Sequence, residues 1–149
     1  MNMINPDFDK LIGAVVPIAQ NIIRDLGTFI PFGAFITKDG ELQLAGGEGD
    51  ATRFDPQQIL DMYLDAYREA AAAESFVSTV LCVDVRVQLP GEIEKTDAIR
   101  MMLEHCEGEA LDAFMPYKKD ANSEVVYGRM FAQSAEPKVF IKLVSENEQ

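Results

Sequence analysis

From Asp7 to about Leu26 the apolar residues Phe8, Leu11, Ile12, Val15, Ala19, Ile22, Ile23 and Leu26 return every three or four positions, the period of an amphipathic helix. Pro17 lies inside this run; it removes one backbone hydrogen bond and crowds the carbonyl of Gly13, which predicts a kink or a break into two shorter helices. Gly27 supplies a stop signal. Two short apolar segments, Gly33 to Thr37 and Glu41 to Ala45, then flank Lys38-Asp39-Gly40, and an Asp-Gly pair between alternating hydrophobics predicts a hairpin. The glycine-rich stretch that follows, GGEGDATR, reads as a flexible connection without the spacing that cradles phosphate.

Asp55-Pro56-Gln57-Gln58 is a helix start: Asp55 caps, Pro56 takes the first helical position and Gln58 sits where a capping box places it. The helix runs to about Ala73, with Ile59, Leu60, Tyr63, Leu64, Tyr67 and Ala71 on its apolar side. Asp61, Asp65 and Glu69 stand at four-residue steps on another side, an arrangement in which like charges repel by about 0.2–0.5 kcal/mol per pair.

Strict alternation follows. Val77, Thr79, Leu81, Val83, Val85, Val87 and Leu89 are assigned to one face of a long strand. Phe76, Ser78, Val80, Cys82, Asp84, Arg86 and Gln88 take the other, covered at the Phe76 end and open toward Gln88. Past Pro90-Gly91, Ile99, Met101, Leu103 and His105 share a face of the next strand, opposite Ala98, Arg100, Met102, Glu104 and Cys106. A turn at Glu107-Gly108-Glu109 leads into a partner whose apolar face is Leu111, Ala113, Met115 and Tyr117. A strand with Val125, Tyr127 and Phe131 alternating with Val126, Gly128 and Met130 comes next, and a last strand is predicted from Lys138 to Val144. Lysines at 138 and 142 beside Phe140 suit an exposed edge, and residues 145–149 read as a frayed tail. The expected fold is α+β: a single antiparallel sheet of about five to seven strands packed with two helices, in one domain spanning residues 1–149.

Charge changes the picture more than composition does. With 25 acidic and 13 basic side chains the formal net charge is -12, a field that repels phosphates and anionic surfaces and argues against direct nucleic-acid or membrane binding. The N-terminal sequence lacks the features of a secretory signal and no stretch has the length of a membrane span, so a cytoplasmic protein is expected. In that compartment Cys82 and Cys106 are expected as free thiols.

Candidate chemistry is sparse. His105 and Cys106 are neighbours between Glu104 and Glu107, but on a strand adjacent side chains point to opposite faces and do not address one centre without a bulge. The chain has one histidine and no nucleophile elbow, so neither a metal site nor a catalytic triad is expected, and no cofactor is called for. A second constellation is Asp84 and Arg86 with Arg100, Glu104 and Asp112. As a ladder of ion pairs it needs no further role; as a concave surface, Arg86, Arg100 and Asp84 would form a small-molecule or minor enzymatic site.

The segments PFGAFITKDGELQ and DAIRMMLEHCEGEALDAFMPY loosely resemble a pattern in small uncharacterised bacterial proteins. That resemblance implies a compact bacterial α+β domain of immunity or adaptor character and brings no catalytic residues. The leading expectation is therefore a non-enzymatic acidic interaction protein. Asp61, Asp65, Glu69, Glu104, Glu107, Glu109 and Asp112 would meet a basic protein partner. Homodimerisation through an edge strand is a further expectation.

Overall fold

The computed structural model describes residues 5–46 and 55–141. Two helices and seven strands follow one another as α1 (Pro6–Leu26), β1 (Phe32–Thr37), β2 (Leu42–Ala45), α2 (Pro56–Ala72), β3 (Phe76–Gln88), β4 (Lys95–His105), β5 (Ala110–Lys119), β6 (Val125–Tyr127) and β7 (Phe131–Ser134). All strand pairs are antiparallel, in the order β2-β1-β3-β4-β5-β6, with β7 also paired to β5. The α+β architecture with a single sheet is thus the observed one. Among the described residues no helix is long and apolar enough to cross a membrane.

Strand alternation divides the interior into two layers. Ala34, Ile36, Val80, Cys82, Ile99, Met101, Leu103 and Ala113 pack against Phe8, Leu11, Val15, Ala19 and Ile23 of α1. Leu81, Val83 and Met102 turn the other way and pack with Leu60, Leu64 and Tyr67 of α2. Each large apolar side chain removed from water contributes about 1.5–3 kcal/mol, so both helices are held to the sheet by burial of one face. β3 and β4 are the central strands; β3 is buried from Phe76 to Val83 and half-exposed toward Gln88.

The helix ends obey local chemistry. The Asn5 side chain accepts from the Asp7 N–H at the start of α1, and Gly27 closes it in the left-handed region (φ 84°). At α2 the Asp55 carboxylate accepts from Gln57 N–H at 3.1 Å and Pro56 occupies the first helical position. The break expected at Pro17 does not occur: α1 is one unbroken helix. Pro17 and Gly13 both lie on the exposed side, so the carbonyl deprived of its partner faces water and the core side of the helix is undisturbed.

Two irregularities reverse faces that alternation alone would assign. Between β1 and β3 the register shifts: Ile36 opposes Ser78 but Thr37 opposes Phe76, leaving Val77 as an extra residue. Phe76 therefore joins the α2 layer with Leu81, whereas Val77 packs in the α1 layer. The second lies beside β5. Tyr117 opposes Tyr127, yet Phe114 opposes Phe131 rather than Met130, a slip of one residue. The strand expected from Val125 through Phe131 is consequently divided at Gly128, whose N–H donates to the Pro116 carbonyl at 2.8 Å. Pro116 itself has no N–H with which to continue the ladder. Met130 then packs in the α1 layer, while Phe131 stacks on Phe114 with ring centroids 5.2 Å apart.

The strand expected from Lys138 is also corrected. Residues 138–140 form bends rather than a strand, and the Lys138–Phe140 N–H groups are taken by a side chain from the sheet, which leaves them no ladder to join. The sheet's edges are instead β2, where Leu42 and Leu44 are exposed, and on the other side β6 and β7. The remainder of the expected strand, residues 142–144, the expected frayed tail and most of the glycine-rich connection lie outside the described residues.

Candidate functional site

The outer face of α2 is the clearest acidic surface. Because Leu60, Leu64 and Tyr67 turn inward, Asp61, Asp65 and Glu69 are driven to the solvent side, and all three are exposed. Met62 stands beside them, three residues before Asp65 and seven before Glu69, and is 70% exposed. Asp61 accepts from the Gln57 amide at 3.0 Å, and Asp65 meets Arg68 at 3.3 Å while its side chain stays 79% exposed. An ion pair so open to water leaves most of the stripe's negative field in place.

Glu104 leaves the acidic surface altogether. It is 4% exposed, and its two carboxylate oxygens accept the backbone N–H groups of Lys138 (2.8 Å), Val139 (2.8 Å) and Phe140 (3.1 Å). Its role is to clamp the strap at residues 138–141 across the α2 side of the sheet; Arg68 Nε adds a bond to the Lys138 carbonyl at 2.7 Å. Asp112 is also drawn in, bonding Arg100 Nη2 at 2.7 Å with only 15% of its side chain exposed. Arg100 Nε is buried without a partner among the described residues.

The structure does not bring Arg86 and Arg100 together. Asp84 and Arg86 lie on the α1 side of the sheet, Arg100 on the α2 side, and each arginine already has a carboxylate: Arg86 meets Asp97 at 3.1 Å. Asp84 belongs to a separate cluster that sequence reading missed. It accepts hydrogen bonds from Thr28 Oγ1 and, at 2.6 Å, from the Tyr117 hydroxyl. Burial raises the Asp84 carboxyl above the usual carboxylate range, against the lowering effect of those two donors. Burial and the neighbouring carboxylate raise Tyr117 well above an ordinary phenol. Nothing in the local pattern links Thr28, on a loop after α1, with Tyr117 in β5; their meeting is set by the sheet register.

At the β4–β5 turn Glu107 and Glu109 are exposed, and Glu109 accepts from the Asn5 side chain at 3.1 Å. His105 and Cys106 are closer than strand alternation implies, because β4 ends at His105 and Cys106 belongs to the turn. The Cys106 sulfur is 3.9 Å from His105 Nδ1, which also accepts the Glu107 N–H at 3.1 Å, and His105 Nε2 faces Asp7 at 3.3 Å. The backbone bond already satisfies Nδ1, and burial together with Glu107 pushes the Cys106 thiol up. Both effects work against an activated thiolate. Cys82, fully buried, is raised far more by desolvation.

Comparison with known protein families, curated proteins and solved structures gives no match.

Proposed function

We propose that this protein is a non-enzymatic interaction module whose α2 outer face docks a basic protein partner. The observation that carries this reading is the placement of exposed Met62 beside Asp61, Asp65 and Glu69. An exposed apolar side chain at the border of a carboxylate stripe suits a surface whose charges steer a cationic partner while the apolar contact is desolvated. The docking set is narrower than the acidic composition suggests, since Glu104 is committed to the strap and Asp112 to Arg100. Glu107 and Glu109, exposed at the β4–β5 turn, add to the field of the chain rather than to this face.

Affinity capture at low salt tests it, with wild-type bait beside the variant D61K/D65K/E69K. The expected result is a basic protein held by the wild type, released as salt rises, and lost from the reversed bait. Capture of the same protein by both baits, or no basic protein on the wild type, would overturn the reading.

A further inference from the structure

A groove of about 670 Å³ opens between the C-terminal end of α2, the start of β3, the β4–β5 turn and the strap at residues 138–141. Its volume falls within the range of about 300–1,000 Å³ usual for small-molecule sites. The groove is built from features already described. The extra residue at Val77 turns Phe76 into the α2 layer, and the Glu104 clamp sets Val139 and Phe140 beside it. Phe76 and Phe140 meet edge to face with centroids 6.0 Å apart, so the wall is aromatic and fixed at both ends. Ala71 and Ala72 of α2 line the groove with small side chains.

Its charge differs from that of the rest of the chain. Among the described residues, Lys38, at the β1–β2 turn, and Arg68 line the groove together with the carboxylate of Glu74. With Asp65 already on Arg68, two cations meet two carboxylates here, a local balance in a chain that has 25 acidic against 13 basic side chains. Arg68 is held in place by Nε on the Lys138 carbonyl and Nη1 on Asp65, an orientation that leaves Nη2 without a hydrogen-bond partner among the described residues. A guanidinium so fixed is suited to a carboxylate.

We propose that this groove binds a medium-chain fatty acid, its apolar chain lying along Ala71, Phe140 and Ile141 and its carboxylate meeting Arg68 and Lys38. The site borders the acidic α2 face through the Arg68–Asp65 ion pair, but its ligand does not depend on the protein-partner reading. A neutral ligand of equal chain length forfeits the ionic contacts, and a cationic one meets the two basic groups.

Cys106 also lines the groove and gives a built-in reporter, because Cys82 is fully buried and does not compete for reagent. The test is the rate of Cys106 alkylation by iodoacetamide, a small neutral reagent, with octanoate or 1-octanol added. Titration calorimetry with octanoate gives stoichiometry independently. Octanoate is expected to slow alkylation at least fivefold at saturation, binding one per chain, and octanol to protect much less. The variant K38Q alters an exposed turn residue and is expected to weaken octanoate severalfold without changing the melting temperature; R68Q is expected to weaken it further. Absence of protection, equal protection by octanol, or protection unchanged in both K38Q and R68Q would overturn the proposal.

Discussion

Replacing Glu104 by glutamine keeps the size of the side chain but removes its charge and turns one acceptor oxygen into a donor. In the native protein one oxygen serves Lys138 N–H and the other serves Val139 and Phe140 N–H, at 2.8, 2.8 and 3.1 Å. In the variant at least one of these amides faces an NH₂ group, and the remaining bonds lose the assistance of charge. Hydrogen bonds to charged groups contribute about 1.5–3 kcal/mol each, and a buried donor left unmatched costs about 1–3 kcal/mol. The expected destabilisation of the strap is therefore about 2–4 kcal/mol. It is local first: the strap can lift from the sheet, exposing Val139 and separating Phe140 from Phe76, while the α1 layer stays intact. Amide hydrogen exchange resolved to residues 138–140 measures this directly. At a factor of ten per 1.4 kcal/mol, exchange there is expected to rise roughly 30- to 700-fold, with Val80 and Met101 changing far less. Exchange at 138–140 within twofold of wild type would show that the carboxylate does not hold the strap.

Gly33→Ala places a methyl group within 2.5 Å of both the Tyr67 hydroxyl and the Val80 carbonyl, where the tyrosine reaches the β1 and β3 backbone; a loss of about 1–3 kcal/mol in urea unfolding is expected. Asp84 is raised in the folded state, so the native protein holds that proton more tightly than the unfolded chain. Its contribution to stability accordingly falls as pH rises from about 3.8 through the folded value. Asp84→Asn removes this dependence, and a plot of melting temperature against pH should be flatter over that window and no lower at pH 7 than wild type. A steeper fall above pH 4 in the variant would reverse the assignment. Thiol counting with a maleimide should find one reactive group in the native protein, Cys106, and two after denaturation, since Cys82 is fully buried.

Much of the architecture was legible in the chain because it is dictated by local rules. The Asp55-Pro56 start of α2, the β1–β2 hairpin around Asp39-Gly40, and the shared face of Ile99, Met101 and Leu103 follow from capping, turn chemistry and the period of two. What was not legible depends on a partner. The extra residue at Val77 exists only relative to β1, and the slip at Gly128 only relative to β5, so a single-strand pattern assigns Phe76 and Phe131 to the wrong sides. Glu104 reads as a surface carboxylate because its acceptor role is filled by amides 34 to 36 positions later. The acidic steps on α2 are legible, whereas Met62 falls outside the apolar period set by Leu60, Leu64 and Tyr67 and so carries no pattern of its own.

The most direct test of the docking face is site-specific photo-crosslinking from Met62, compared with Leu26 at the end of α1. The two side chains are equally exposed, at 70% each, but they sit on opposite sides of the sheet and only Met62 borders the Asp61, Asp65, Glu69 stripe. A photoreactive residue at 62 should yield a discrete adduct with a basic protein that fades as salt is raised, and the same residue at 26 should yield none. Equal adducts from both positions, or an adduct from 26 alone, would contradict the assignment of α2 as the binding face.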